Sequence, residues 1–216
     1  MGRRALRRID PTLDLSAHFR QLDELPHPLS SAALFGREAP LELEVGSGKG
    51  LFLRSAATAH PEVDFLGVEI AVKYARFAAA GLVKAGLKNA VVIQGDAIRL
   101  VSEFLPDETL GGLHVYFPDP WWKKRHRRRR VMRDDFLRAA QRVLRPGGSL
   151  HFWTDVEEYF QTTLAMIAEC TNFEGPLPVA ETPSEHDLDY RTHFERRMRQ
   201  TGQPVYRSEF RKPPTV

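Results

Sequence analysis

The sequence predicts an α/β fold built on a doubly wound, mostly parallel sheet. Three observations predict it. Short apolar strands alternate with stretches of helical period, a glycine-rich turn follows the first strong strand, and acidic residues stand where successive strands end. Parallel strands covered by helices on both faces read as near-continuous apolar runs, and these strands do.

Residues 1–40 read as an irregular lead-in punctuated by Pro26, Pro28 and Pro40, with Leu22, Leu25, Leu29, Leu34 and Phe35 able to pack down. Residues 41–45 form a short strand, 46–50 a loop, and 51–59 a helix stopped before Pro61. A second strand spans 65–69. Val72, Ala75, Ala79, Leu82 and Val83 fall at helical spacing, and that helix closes near Gly86. Residues 90–93 and 113–117 give the third and fourth strands. Phe136, Leu137, Ala140, Val143 and Leu144 make one apolar helix face, which Pro146-Gly147-Gly148 ends ahead of a strand at 150–153. A helix at 159–169, a Pro-rich loop at 176–183, a helix at 190–200 and an edge strand at 205–210 complete the chain. With no internal repeat and no long linker, the expected organisation is an N-terminal extension, 1–40, and one domain, 41–216.

Composition narrows the function classes. A chain of 216 residues, 42% hydrophobic, can bury a sizeable core, and 15 Gly with 15 Pro exclude collagen and low-complexity fibre. The single cysteine, Cys170, cannot form an intramolecular disulfide and points to a reducing, cytoplasmic setting. No apolar run approaches the ~18 residues of a membrane span, and the basic start lacks the apolar stretch of a secretory signal. No Cys/His spacing makes a metal site, so neither a membrane nor a metal is expected.

The net charge of +3 is a sum of opposites. Four arginines lie in residues 1–8 and seven Lys or Arg in 123–130, with no acid in either stretch. Without them, 20 basic residues face 28 acidic ones, a balance of −8. An acidic body with two concentrated basic segments suits a polyanionic partner held by particular segments.

The first strand ends in Glu44-Val45-Gly46-Ser47-Gly48-Lys49-Gly50. Alternate glycines allow a sharp turn and a close backbone approach to a ligand. The third glycine comes one position too early for a dinucleotide fingerprint, and the Lys-Ser/Thr ending of a phosphate loop is missing. Taken alone, the loop is equally a tight strand-to-helix turn. Glu69 then ends the second strand, where a carboxylate accepts hydrogen bonds from ribose hydroxyls, and Asp96 follows the third, where an adenine edge can lie. Each acid by itself is also a candidate helix cap or solvated strand end. As a set they would repel a pyrophosphate and tolerate a cationic nucleoside such as S-adenosylmethionine.

The fourth strand runs into Phe117-Pro118-Asp119-Pro120-Trp121-Trp122-Lys123-Lys124-Arg125-His126-Arg127-Arg128-Arg129-Arg130. Charge runs are usually solvated faces, yet this one follows a strand end that should line the site. Prolines on both sides hold Asp119 in an extended turn. Trp121 and Trp122 offer flat faces for a base or serve as core anchors, and seven cations can track phosphates.

These segments, with Gly67-Val68-Glu69, Thr154-Asp155 and Thr192-His193-Phe194-Glu195-Arg196, resemble the bacterial tRNA (guanine-N7-)-methyltransferases, in order over roughly 41–199. The Pro-Asp-Pro-Trp to Arg-His-Arg block is the family-specific part. Trp122 departs from the pattern, standing where a second proline is expected.

The resemblance implies a Rossmann-like class I methyltransferase fold, S-adenosylmethionine as donor and guanosine 46 of the tRNA variable loop as substrate. It assigns Glu44, Glu69, Asp96 and Asp119 to the donor, beside Gly46 and Gly48 of the glycine loop, and Asp119 also to the reaction centre. Lys123, Asp155, Thr192, His193, Phe194 and Glu195 would meet the substrate. Lys124, Arg125, His126, Arg127, Arg128, Arg129 and Arg130 would hold RNA. Asp119, Asp155 and Glu195 all remain candidates for the guanine edge. Arg191, Arg196, Arg197 and Arg199 extend the RNA footprint or form a solvated helix face. Two rivals stand beside this reading: a methyltransferase for a small molecule or protein, which leaves the basic run without a task, and a non-catalytic RNA-binding module, which should have lost the strand-end acids.

Overall fold

A computed structural model describes residues 6–179 and 192–214; for Lys124, Arg127 and His193 it describes the backbone and not the side chain. The start of the helix expected at 190–200, and much of the loop expected at 176–183, lie outside the described residues.

One sheet organises the chain. Its strands are β1 (Phe19–Gln21), β2 (Leu41–Val45), β3 (Asp64–Glu69), β4 (Ala90–Gln94), β5 (Leu110–Tyr116), β6 (Leu144–Thr154), β7 (Glu174–Leu177) and β8 (Tyr206–Arg211). They lie in the order β1-β4-β3-β2-β5-β6-β8-β7. Every pairing from β1 to β6 is parallel, and β8 runs antiparallel to both β6 and β7. The helices are α1 (Ser31–Phe35), α2 (Leu51–Ala59), α3 (Val72–Lys84), α4 (Ala97–Arg99, continued by a π-helical stretch to Phe104), α5 (Asp134–Val143), α6 (Glu157–Cys170) and α7 (His193–Gln200).

Side chains alternate across the strands, so each strand feeds two cores. Val91 and Ile93 join the larger cluster, with Leu43, Val45, Leu113, Phe136 and Tyr159. Ala90 and Val92, one residue out of step, join Phe52, Ala75, Ala78 and Leu82 of α2 and α3 on the other face. The two layers of helices are therefore dictated by strands that are apolar on both faces.

The chain builds outward from β2 through β3 to β4, then returns past β2 to lay down β5 and β6. The reversal lies between β2 and β5. In such a sheet, ligands bind beyond the carboxyl ends of the strands at that point.

Some expectations need correction. Residues 19–21 of the expected irregular lead-in add a parallel edge strand to β4, whereas Leu22, Leu25 and Leu29 pack into the larger core as expected. The strand near the C-terminus is not at the edge: β8 lies between β6 and β7. The edge is β7, whose last residues open the stretch expected as a Pro-rich loop. Pro146-Gly147-Gly148 falls inside β6, where the register against β5 jumps from Leu110–Leu144 to Gly112–Ser149. The backbone of that excursion is held by Lys212, whose amide donates to Gly148 and whose carbonyl accepts from Gly147, both at 2.9 Å. Among the described residues no helix is long and apolar enough to cross a membrane.

Candidate active site

The glycine loop turns β2 into α2 through three residues at positive φ: Gly46 at 78°, Gly48 at 54° and Gly50 at 71°. A side chain would be strained at all three. The loop is pinned to β3, since the amides of Gly46 and Ser47 both donate to the Val68 carbonyl, at 2.8 and 3.1 Å. Gly67 permits this approach: a Cβ there would stand 2.3 Å from both Ser47 Oγ and a Leu53 methyl.

Glu69 closes the loop from the next strand. One carboxylate oxygen accepts from the Gly48 amide and the other from the Ala71 amide, each at 2.9 Å. Two backbone donors fix the carboxylate plane while each oxygen keeps a second lone pair.

Glu44 is 3% exposed, and its Oε2 has no hydrogen-bond partner among the described residues. Burial, and then the charge of Glu69, pushes its carboxyl up to about 8. A buried carboxyl without a partner disfavours its ionised form. A ligand cation placed against it reverses that preference.

Asp96 is exposed and caps α4, its Oδ1 accepting from the Ile98 amide at 2.8 Å. The cap uses one of its two oxygens and leaves the other open.

The turn after β5 is the most distorted part of the rim. Phe117 has φ 50° and Trp121 φ 44°, so two bulky aromatic residues in left-handed backbone bracket Pro118-Asp119-Pro120. Such conformations cost about 1–3 kcal/mol each and persist where the surroundings impose them. The surroundings are visible. The Phe117 amide donates to the Trp153 carbonyl at 2.8 Å, its ring packs on Phe194 at 5.0 Å, and Trp121 takes the Arg129 guanidinium at 5.1 Å. Asp119 itself is exposed at the crest.

Beyond the turn, the backbone of Lys124–Arg129 forms a 3-10 helix. Lys123, Arg125, Arg128 and Arg129 are exposed, and His126 is half-buried in a T-shaped contact with Trp121 at 5.9 Å. Trp122 is 65% exposed, whereas Trp121 is packed. Arg130, grouped with the outward cations in the sequence reading, is buried instead.

Phe194 brings α7 to the rim. Thr192 caps that helix, its hydroxyl accepting from the Glu195 amide at 2.9 Å. Glu195, only 2% exposed, accepts from Arg199 at 3.5 Å and Arg207 at 3.4 Å. Asp155, half-buried, follows the carboxyl end of β6. The structure thus brings Glu44, the glycine loop, Glu69, Asp96, Asp119 and Asp155 to one rim. It occupies Glu195 with arginines and turns Arg130 inward. The sequence reading missed Arg207, which stacks on Trp153 at 5.0 Å, and Glu158, the partner of Arg130. No local signal marks either one.

A family model described as a putative methyltransferase matches residues 38–208. A tRNA (guanine-N(7)-)-methyltransferase of Rhodopirellula baltica is 50% identical over 98% of this chain and 80% of its own. One from Cupriavidus necator is 37% identical over 87% of this chain and 72% of its own. Among solved structures, the 16S rRNA methyltransferase KamB superposes with a TM-score of 0.62 at 19% identity, covering 83% of this chain and 91% of its own; that likeness speaks to the fold.

Proposed function

The chain belongs to the tRNA (guanine-N(7)-)-methyltransferase family, and from that premise we propose that it transfers a methyl group from S-adenosylmethionine to N7 of guanosine 46 in the variable loop of tRNA. The observation that carries this reading is the strained Asp119 turn, which stands between a rim of donor-binding acids and an exposed basic segment.

The rim fits the donor. The unpartnered Oε2 of Glu44 suits the donor's amino group, Glu69 suits its ribose hydroxyls, Asp96 its adenine edge, and Gly46 and Gly48 let the backbone come close. When bound, S-adenosylmethionine supplies an electrophilic methyl on a sulfonium. Guanine N7 carries a lone pair at neutral pH, so no residue has to remove a proton first. The work left to the protein is alignment and electrostatics. Asp119, acidic and exposed at the crest, faces the positive charge that the purine gains as N7 is methylated, or accepts from guanine N1 and N2. Because Glu195 is held by two arginines, the guanine edge falls to Asp119 or Asp155. In this reading Thr192, Phe194 and Lys123 meet the substrate, and the exposed Arg125, Arg128 and Arg129 hold phosphates.

Residues 41–216 form the catalytic unit in this reading, and 19–21 of the preceding extension add a strand to the edge of its sheet. A single buried thiol, Cys170, accords with a cytoplasmic enzyme.

Salt titration of tRNA affinity tests the RNA assignment. Four or more phosphate contacts predict a loss of about 50-fold between ~50 and ~200 mM salt. A flat response favours a small-molecule or protein substrate and contradicts the proposal.

A further inference from the structure

Arg130 ends a run of four arginines and is indistinguishable in sequence from Arg128 and Arg129, which are exposed. In the fold it is 7% exposed and faces away from the basic surface. Its Nε donates to the Pro120 carbonyl at 2.7 Å, and a terminal nitrogen donates to Glu158 at 3.1 Å. The guanidinium carbon lies over the Tyr159 ring, 4.4 Å from its centre. One planar group thus ties the turn after β5 to two consecutive residues of α6.

We propose that Arg130 is a positioning residue: with Glu158 and Tyr159 it locks the Asp119 turn in its working shape and makes no phosphate contact. This rests on the reading of Asp119 as the reaction-centre acid. The Pro120 carbonyl belongs to the residue directly after Asp119 and precedes Trp121, which holds left-handed backbone at φ 44°. Bulky residues seldom adopt that region unaided, so the turn needs an external constraint. Arg130 supplies it at the carbonyl between the acid and the strained residue. Lysine, a point charge without the fork, cannot make all three contacts at once.

The same arrangement links RNA to chemistry. Trp121 takes the Arg129 guanidinium over its ring and makes a T-shaped contact with His126, while Arg130 closes the loop at Pro120. Residues 120–130 therefore form one closed unit. A phosphate seated on the exposed cations is then in fixed register with Asp119. Tyr159 lies within the influence of both ends: burial pushes its hydroxyl up to about 12, the Met132 amide and Arg130 pull it back, and Asp119 raises it.

The test measures single-turnover methyl transfer and tRNA affinity separately in the full chain, for Arg130→Ala, Arg130→Lys, Glu158→Ala and the double variant Arg130→Ala/Glu158→Ala. Arg130→Ala is expected to slow transfer at saturating tRNA about tenfold or more. Its tRNA Kd should stay within about threefold and keep its salt slope. Arg130→Lys should recover little. Glu158→Ala should slow transfer by less, and the double variant should be no slower than Arg130→Ala. Should Arg130→Ala fail to fold, Arg130→Lys and Glu158→Ala carry the same readouts. A weaker tRNA Kd with a salt slope reduced by about one, and unimpaired transfer at saturation, would make Arg130 a phosphate contact and overturn the proposal. An unaltered chain that methylates no tRNA contradicts the proposed function itself, whereas normal transfer by Arg130→Ala contradicts only the clamp.

Discussion

Two buried carboxylates stand on neighbouring strands at opposite ends of the sheet, and the fold treats them in opposite ways. Asp64 begins β3 and is fully buried. It accepts from Arg37 Nε at 2.9 Å, from a terminal nitrogen of the same guanidinium at 2.5 Å, and from the Ser31 hydroxyl. Glu44 lies near the end of β2, and nothing among the described residues meets its Oε2. Removing an ion from water costs several kcal/mol unless partners compensate. Asp64 has those partners and joins β3 to the segment around α1. Glu44 answers by holding its proton up to about pH 8. The satisfied acid serves the structure, and the unsatisfied one is left open for the donor of the proposed reaction.

The comparison breaks most visibly at the carboxyl end. Asp119→Ala should lower methyl transfer by about 100-fold or more, the range for loss of a preorganised charge at a reaction centre, with tRNA affinity largely kept. Unchanged single-turnover rates would remove Asp119 from the chemistry.

Glu44→Gln comes next. It should weaken S-adenosylmethionine about 10- to 100-fold in a calorimetric titration, the worth of one charge-assisted hydrogen bond. In the unaltered chain the carboxyl must ionise to receive a cation, so donor affinity should rise with pH and level off near 8. Stability runs the other way. The folded value lies above the ordinary 4.5, so the folded state binds the proton more tightly than the unfolded one. The stability contributed by that proton is complete below about 4.5 and is lost as pH rises through 8. Ligand-free Glu44→Gln, whose amide cannot ionise, should therefore gain on the parent between pH 5 and 9 in thermal unfolding. Parallel melting curves for the two would show that Glu44 is not strained.

The smallest effect on function and the clearest on stability should come from Asp64→Asn. Losing the charged partner of Arg37 should cost about 2 kcal/mol, moderated because the Arg37 side chain is 42% exposed. Donor affinity should not change. A loss of donor affinity in Asp64→Asn would erase the distinction between the two ends.

Sequence reasoning reached the carboxyl end more readily than the amino end, for a physical reason. Acids at strand ends interrupt apolar runs, and a Pro-Asp-Pro turn constrains its own backbone, so Glu44, Glu69, Asp96 and Asp119 announce themselves locally. The alternation of strand and helix is local too. What escaped depends on contacts between distant residues. Residues 19–21 become a strand only because β4 offers an edge, with the Val92 amide donating to the His18 carbonyl at 2.8 Å. β8 becomes internal only because 174–177 pairs along it. Arg130 and Arg129 are adjacent and identical in type; Glu158, 28 residues further on, turns one of them inward. Glu195 looked available until Arg199 and Arg207 were placed beside it. Asp64 carried no sign of its role, since its partners come from α1 and the segment after it.

The most direct measurement is incubation of the chain with unmodified tRNA and S-adenosylmethionine carrying a labelled methyl group, followed by mapping of the modified nucleotide. The expected product is 7-methylguanosine at position 46 of the variable loop, with no label on other bases. Label on another atom or another nucleotide, or no label on tRNA at all, would contradict the account.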